Sequence, residues 1–344
     1  MQLACKVTGH VRYVRRALIV FTLIAVAAFQ PAAGQSLVIK DLGALPGEYN
    51  YSNALAINER DQVVGFSITA AGYMHACLFE KGVVTDLGTL PGGSYSSASG
   101  INNRGQVVGT SSDARGNDHA FLFERGVMTD LGTLPGGNVS SATAINEHGQ
   151  VVGSASNLRG YVHAALFENG VVTDLGTLPG GSDSGALAIN NRGQVVGYSS
   201  TASGYAHAFL YDHGVMTDLG ALQSPGLSHA QAINDRSQVV GISSTANGDV
   251  HGFLYENGTM TDLGTLPGRS NSNAFGINNR GQVVGESDAG TNPYLPHAFL
   301  FERGAMTDLG TLPGDNFSEG VGITGRGDIA GNSTLHAILW TREK

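Results

Sequence analysis

Seven histidines recur at one place in a repeat, and their type makes them the first candidates for chemistry: His75, His119, His163, His207, His251, His297 and His336. Imidazole is the commonest protein metal ligand, so a ring of them invites a metal reading. A second set answers them. Asp-Leu-Gly returns with its aspartate at 41, 86, 130, 174, 218, 262 and 308, in steps of 45, 44, 44, 44, 44 and 46 residues. A catalytic carboxylate pair needs two acids in different environments, whereas seven-fold repetition makes these alike. Metal ligands must also converge to about 2 Å, which one histidine per repeat does not provide. The expectation is therefore structural: each histidine opens a strand and hydrogen-bonds to the repeated aspartate or to loop backbone. No metal and no cofactor is expected.

Non-repeated acids carry the remaining chemical possibilities. Glu286, Asp288, Asp315 and Glu319 break the pattern and could serve a glycan hydrolase or lyase if two of them met at about 5–10 Å. Asp113 and Asp118, in a glycine-bearing loop, offer hard-cation ligands, but their spacing is not that of an EF-hand and other copies lack them.

The elements that must position these groups follow from the period. Each unit of about 44 residues divides into four short β-like runs. In one copy they are Ser97 to Asn102, Gln106 to Ser111, His119 to Glu124 and Val127 to Leu134, punctuated by Asn103-Arg104-Gly105, Arg125-Gly126 and Pro135-Gly136-Gly137. Runs rich in Val, Ile, Phe and Thr, joined by such turns, read as antiparallel hairpins. The third run is apolar on both faces, as a sheet sandwiched between other sheets requires. Four-stranded sheets stacked one per repeat describe a β-propeller. The repeated glycines fit close backbone approach between sheets.

The phase of the repeat sets the closure. A lone fourth strand, Leu37 to Leu45, precedes six complete units, and a first, second and third strand end the chain. The fold expected is all-β, a seven-bladed β-propeller of four-stranded blades, closed by pairing the N-terminal strand with the C-terminal three. An open solenoid would instead leave two bare sheet edges.

His-Ala-Phe at His119, His207 and His297, with the trailing Thr-Asp-Leu-Gly-Thr-Leu-Pro-Gly-Gly, resembles the HAF-repeat family of extracellular proteins. The resemblance runs from Leu37 to Trp340. Departures are local: Cys77, Ala165 and Ile338 replace Phe, Gly252 replaces Ala, and Ile323-Thr324 stands where other copies read Ile-Asn. The resemblance implies an extracellular location and no particular activity. WD-repeat propellers use a repeated His and Asp structurally, by analogy only.

Residues 1–34 read as a secretory signal peptide, and 35–344 as one propeller domain. Lys6, Arg12, Arg15 and Arg16 precede an uncharged run from Ala17 to Phe29, then the small residues of Pro31-Ala32-Ala33-Gly34. That run falls short of the ~20 residues a membrane span needs, so no membrane association is expected after cleavage. Cleavage would take the net charge from −9 to −13, since four cations and no acid leave. An acidic chain without basic clusters argues against a nucleic-acid partner. Cys77 alone would remain, so stability must come from packing.

Function on a symmetric scaffold should lie where loops are long and copies differ. The longer connections, second-to-third strand and blade-to-blade, emerge on one face, which carries Tyr73, Tyr95, Tyr161, Tyr205 and Tyr294. Together with Glu286 and Asp288 these are the ligand-binding candidates, since tyrosine suits protein or glycan contact. The sixth blade lengthens its inner loop, Glu286 to Pro296, while the seventh leaves only Asn332 to Leu335, making a step in the rim. The expected protein is a secreted monomer that binds a protein or polysaccharide, with an enzyme or a structural matrix protein as alternatives.

Overall fold

The computed structural model describes residues 37–289 and 292–342, with backbone alone at 289 and 292–294. The signal-peptide segment and the side chain of Tyr294 lie outside the described residues. Among them, 28 strands form seven four-stranded antiparallel sheets. The first full blade consists of Ser52–Ile57, Val63–Ile68, Met74–Glu80 and Val83–Asp86, and five more repeat it. First strands touch one another in succession, and that of the last blade touches that of the first, so the sheets close into a ring around an axis. The chain is a seven-bladed β-propeller.

The seventh blade joins the two ends of the domain. Leu37–Asp41 pairs antiparallel with His336–Arg342, which continues through Ile329–Ser333 to Ser318–Ile323. Its register, Leu37 opposite Arg342 and Asp41 opposite Ile338, supplies the outer strand that the C-terminal three lack.

Outer strands are shorter than their sequence run. Val127–Asp130 stops at its aspartate because Asp130 accepts the Gly132 N–H at 2.7 Å and turns the chain. The third-to-fourth hairpins are two-residue turns with positive φ at both places, as at Arg125 (53°) and Gly126 (81°), the type I′ geometry that matches strand twist.

The core lies between blades. One cluster combines Val152 and Ala164 of one blade with Leu175, Leu178, Ala186, Ile189, Val195 and Phe209, which lead into and form the next. Each fully buried phenylalanine, such as Phe209, contributes about 2–3 kcal/mol of burial. The glycine of Val-Val-Gly has a different reason from the inter-sheet approach expected. A bulge at Ala186/Ala188 pushes a carbonyl toward the neighbouring strand of the same blade, and a Cβ on Gly197 would stand 1.9 Å from the Gly185 oxygen.

Candidate functional site

The repeated histidines are held in one arrangement in every blade. Nδ1 lies 2.6–2.9 Å from the partner carboxylate in His75–Asp86, His119–Asp130, His163–Asp174, His207–Asp218, His251–Asp262 and His297–Asp308. His336 makes the same contact, 2.8 Å, with Asp41 across the closure. Each aspartate thus ends a fourth strand and clamps the third. Among the described residues no three His, Cys, Asp or Glu side chains form a group that could hold a metal ion. Asp113 spends its carboxylate on its own turn, accepting the Arg115 and Asn117 N–H groups at 2.7 and 2.9 Å.

Two further repeats bind blade to blade at the trimmed face. In six of the seven blades a buried asparagine ending the first strand caps its own turn and reaches the next blade, as Asn102 Nδ2 donates to the Asn146 carbonyl at 3.1 Å. Around the axis, Glu59 N donates to Asn103, Asn103 N to Glu147, Glu147 N to Asn191, Asn191 N to Asp235 and Asp235 N to Asn279, at 2.8–3.0 Å. Gly325 N returns to Glu59 at 2.6 Å. The axial hollow there, about 210 Å³, is lined by groups of this relay, by the buried asparagines and by isoleucines of the first strands such as Ile189 and Ile233.

A larger groove of about 810 Å³ opens between the outer parts of the seventh and first blades, and one of about 680 Å³ opens between the second and third. Their recurrence marks them as the wedge left where flat sheets splay outward. In the first of them Arg326 is paired with Asp61 at 2.6 Å and with Asp328 at 3.3 Å.

Symmetry breaks elsewhere, at one register of the inner strands toward the elaborated face. Between an invariant serine and a following alanine or glycine, each first strand carries a variable residue with a variable cross-strand partner. In order these are Asn53/Phe66, Ser97/Thr110, Ser141/Ser154, Gly185/Tyr198, His229/Ile242, Asn273/Glu286 and Glu319/Asn332. Small residues occupy the second and third blades. Large polar and aromatic ones occupy the fourth to the seventh, where Tyr198 stacks on His229 with ring centroids 4.7 Å apart. Burial lowers the pKa of that histidine.

Glu286 and Glu319 are brought together here. Asn273 Nδ2 donates to Glu286 Oε1 at 2.8 Å, and Asn332 Nδ2 donates to Glu319 Oε1 at 2.8 Å. Burial pushes the Glu286 carboxyl up to about 7; the Asn273 bond opposes the rise, and the charges of Glu319 and Asp288 add to it. Burial also raises Glu319, against the bond from Asn332. No described lysine or arginine pairs with either acid.

The other two acids serve loops. Asp288 accepts Ser270 N at 2.9 Å and Asn271 Nδ2 at 2.6 Å, the pinning that Ser112 performs for Ser94 N in its own blade. Asp315 accepts the Ser333 hydroxyl at 2.7 Å. Nor are the tyrosines gathered into one platform. Tyr73, Tyr161 and Tyr205 are exposed on loops of three different blades, and Tyr95 is half-buried on a fourth. The ring contacts among the described residues are instead Tyr51–Phe66 and Tyr198–His229.

The step in the rim is occupied by a recess of about 310 Å³. The stretch Glu286 to Pro296, expected as a loop, is mostly an extended hairpin of the strands Val283–Ala289 and Asn292–Glu302. Leu295 of that hairpin, Asn316, Phe317, Glu319 and Asn332 of the seventh blade, and Tyr51 and Asn53 of the first line the recess. The sequence shows this asymmetry in loop length, but Asn53, Asn332, Tyr198 and His229 emerge only when strand positions are compared across copies.

No family model matches the chain, and no curated protein matches it. Solved structures resemble it in architecture. TolB from Acinetobacter baumannii is 11% identical with a TM-score of 0.43; the match covers 87% of this chain and 65% of that protein, so this chain spans less than two thirds of its length. A catalytically inactive virginiamycin B lyase from Staphylococcus aureus, solved with quinupristin, is 11% identical over 89% of this chain and 99% of the other, with a TM-score of 0.47. A gluconolactonase from Xanthomonas campestris is 11% identical over 89% and 100%, with a TM-score of 0.42. Likeness at this level concerns the fold alone.

Proposed function

We propose that this chain is an exported binding module whose elaborated face, at the mouth of the ring, takes a polysaccharide or protein ligand. One observation carries the reading: the inner-strand register that repeats in place but not in kind. Positions needed for the fold recur as serine, alanine, glycine and asparagine, and the ring closes with serine or glycine at the variable place in three blades. Large polar residues at the remaining blades are therefore free to serve contact. The N-terminal segment and the resemblance to the HAF-repeat family support export, and repeated intramolecular clasps support a monomer.

A screen of the purified mature chain against glycans and secreted proteins tests this. A ligand that binds Arg104→Ala normally but Tyr205→Ala or Phe317→Ala weakly is the expected result. Loss of binding in Arg104→Ala alone would place the ligand on the trimmed face and refute the assignment.

A second reading, a glycan hydrolase or lyase, is favoured by one observation. A carboxyl with a pKa near 7 beside a second acid suits a general acid. Turnover abolished by Glu286→Gln with binding retained would establish it.

A further inference from the structure

We infer that the recess between the sixth, seventh and first blades is a sugar subsite that takes one uncharged or amino-sugar ring of a longer glycan. The inference rests on the binding-module reading and narrows it to a place and a ligand class. Its first support is size: about 310 Å³ lies at the lower end of the range of small-molecule sites, enough for a ring and not for a folded segment.

The second support is chemical. A sugar ring is apolar on its C–H faces and carries hydroxyls that both donate and accept. Tyr51 and Phe317 present aromatic surface to the recess, and the amides of Asn53 and Asn316 add donors and acceptors. Neither amide side chain hydrogen-bonds to a described residue. Glu319 has one oxygen fixed by Asn332 and the other without a described partner, the arrangement a hydroxyl donor would complete. His336, at the edge, has both ring nitrogens engaged, with Asp41 and the Asn50 carbonyl.

Charge decides between sugar classes. No described lysine or arginine lines the recess, and Glu319 stands there with Glu286 close enough for their charges to interact. A uronic or sialic acid would bring a third carboxylate into that surrounding, whereas a neutral ring adds no charge and an amino sugar offsets it. Finally, the fold does not need a carboxyl at the place of Glu319. At the place of Glu319 the second, third and fourth blades carry Ser97, Ser141 and Gly185.

The test is saturation-transfer NMR on the mature chain at pH 7, with methyl glycosides of glucose, galactose, mannose, N-acetylglucosamine, glucosamine and glucuronic acid. At least one non-acidic glycoside should receive saturation, with Kd on the order of 1 mM for a single ring, and the glucuronide should receive none. Phe317→Ala and Asn53→Ala should raise that Kd at least fivefold, Phe317→Tyr should restore most of it, and Arg104→Ala should leave it unchanged. Melting temperatures of the variants identify any that are merely unfolded, and for those the Phe317→Tyr and Asn53→Ala results decide. Binding of the glucuronide as strong as that of the glucoside, or Kd values unchanged in a folded Phe317→Ala, would overturn the subsite. So would silence from every glycoside. In those cases a ligand from the wider screen that is sensitive to Tyr205→Ala would leave the binding-module reading standing, and an empty wider screen would end both.

Discussion

Replacing Thr324 by asparagine should stabilise the ring. In six blades an asparagine ends the first strand and makes four bonds, as Asn190 does. Its Oδ1 accepts Arg192 N and Gln194 N at 3.0 Å each, and its Nδ2 donates to Gln194 Oε1 at 2.7 Å and to the next blade's Asn234 carbonyl at 3.0 Å. In the seventh blade, Thr324 Oγ1 accepts Asp328 N at 3.1 Å, but threonine has no amide to donate across the seam to the carbonyl of Asn58. Thr324→Asn supplies that donor at a buried position, together with a donor toward the Asp328 carboxylate. At about 1 kcal/mol net per buried hydrogen bond, the gain should be about 1–2 kcal/mol, roughly 1.5–3 °C in Tm for a domain of about 300 residues. The reciprocal change, Asn190→Thr, removes both amide donations; Ser237 still gives its hydroxyl to Gln194 Oε1 at 2.7 Å and its N–H to the Asn234 carbonyl at 3.1 Å, so the cost should be about 1–2 kcal/mol. Thermal and urea unfolding of both variants measure the pair. If Thr324→Asn melts at or below the parent while Asn190→Thr costs under about 0.5 kcal/mol, the asparagine clasp does not hold the blades together.

Two further outcomes follow from the closure and from the acid pair. Deleting residues 37–45 removes the outer strand of the seventh blade and the Asp41 partner of His336, so cooperative melting should shift down by many degrees; a truncated chain that melts within a degree or two of the parent refutes closure by this pairing. Glu286 binds its proton more tightly in the fold, about 7 against an ordinary 4.5, so its contribution to stability is complete below the lower value and is lost as pH rises toward the higher. After discounting for partial access to water, the loss is on the order of 2 kcal/mol. Denaturant titrations from pH 4 to 8 should show Glu286→Gln gaining on the parent across that window, and parallel pH profiles would contradict the assignment.

The blade count and its closure were legible because every element is spelled out seven times. Strand ends were less so. The run Leu37 to Leu45 reads as one strand, yet the strand is Leu37–Asp41, because the Asp41 side chain takes the Gly43 N–H at 2.7 Å and bends the chain. Among the odd acids, sequence cannot separate Glu286 and Glu319 from Asp288 and Asp315. All four depart from the repeat, but Asp288 replaces a loop-pinning serine and keeps its task. Asn53 and His229 escaped notice because they sit in strands, where difference is less conspicuous than in loops. The signal was nevertheless there: Ser-Asn-Ala, Ser-Ser-Ala, Ser-Gly-Ala, Ser-His-Ala and Ser-Glu-Gly all open first strands.

That the symmetry-breaking residues collect beside the closure has a physical reason. The seventh blade is joined from both ends of the domain and already differs inside: Ile338 stands where four of the other third strands have phenylalanine, and the larger Trp340, two residues on, fills the space and donates its indole N–H to the Leu309 carbonyl at 3.1 Å. A smaller side chain at one place and a larger one beside it keeps the volume of the core. Asn332 then joins the seam and the site. Its Oδ1 accepts the Ala54 N–H at 2.7 Å and its Nδ2 donates to the Ala54 carbonyl at 3.0 Å, both across the seam, while the same Nδ2 reaches Glu319. Among the described residues, none of its counterparts in the other blades bonds to the next blade in this way. The side chain that fastens the last blade to the first therefore also orients the carboxyl of the recess, so loosening of the seam reaches the site directly, through one amide.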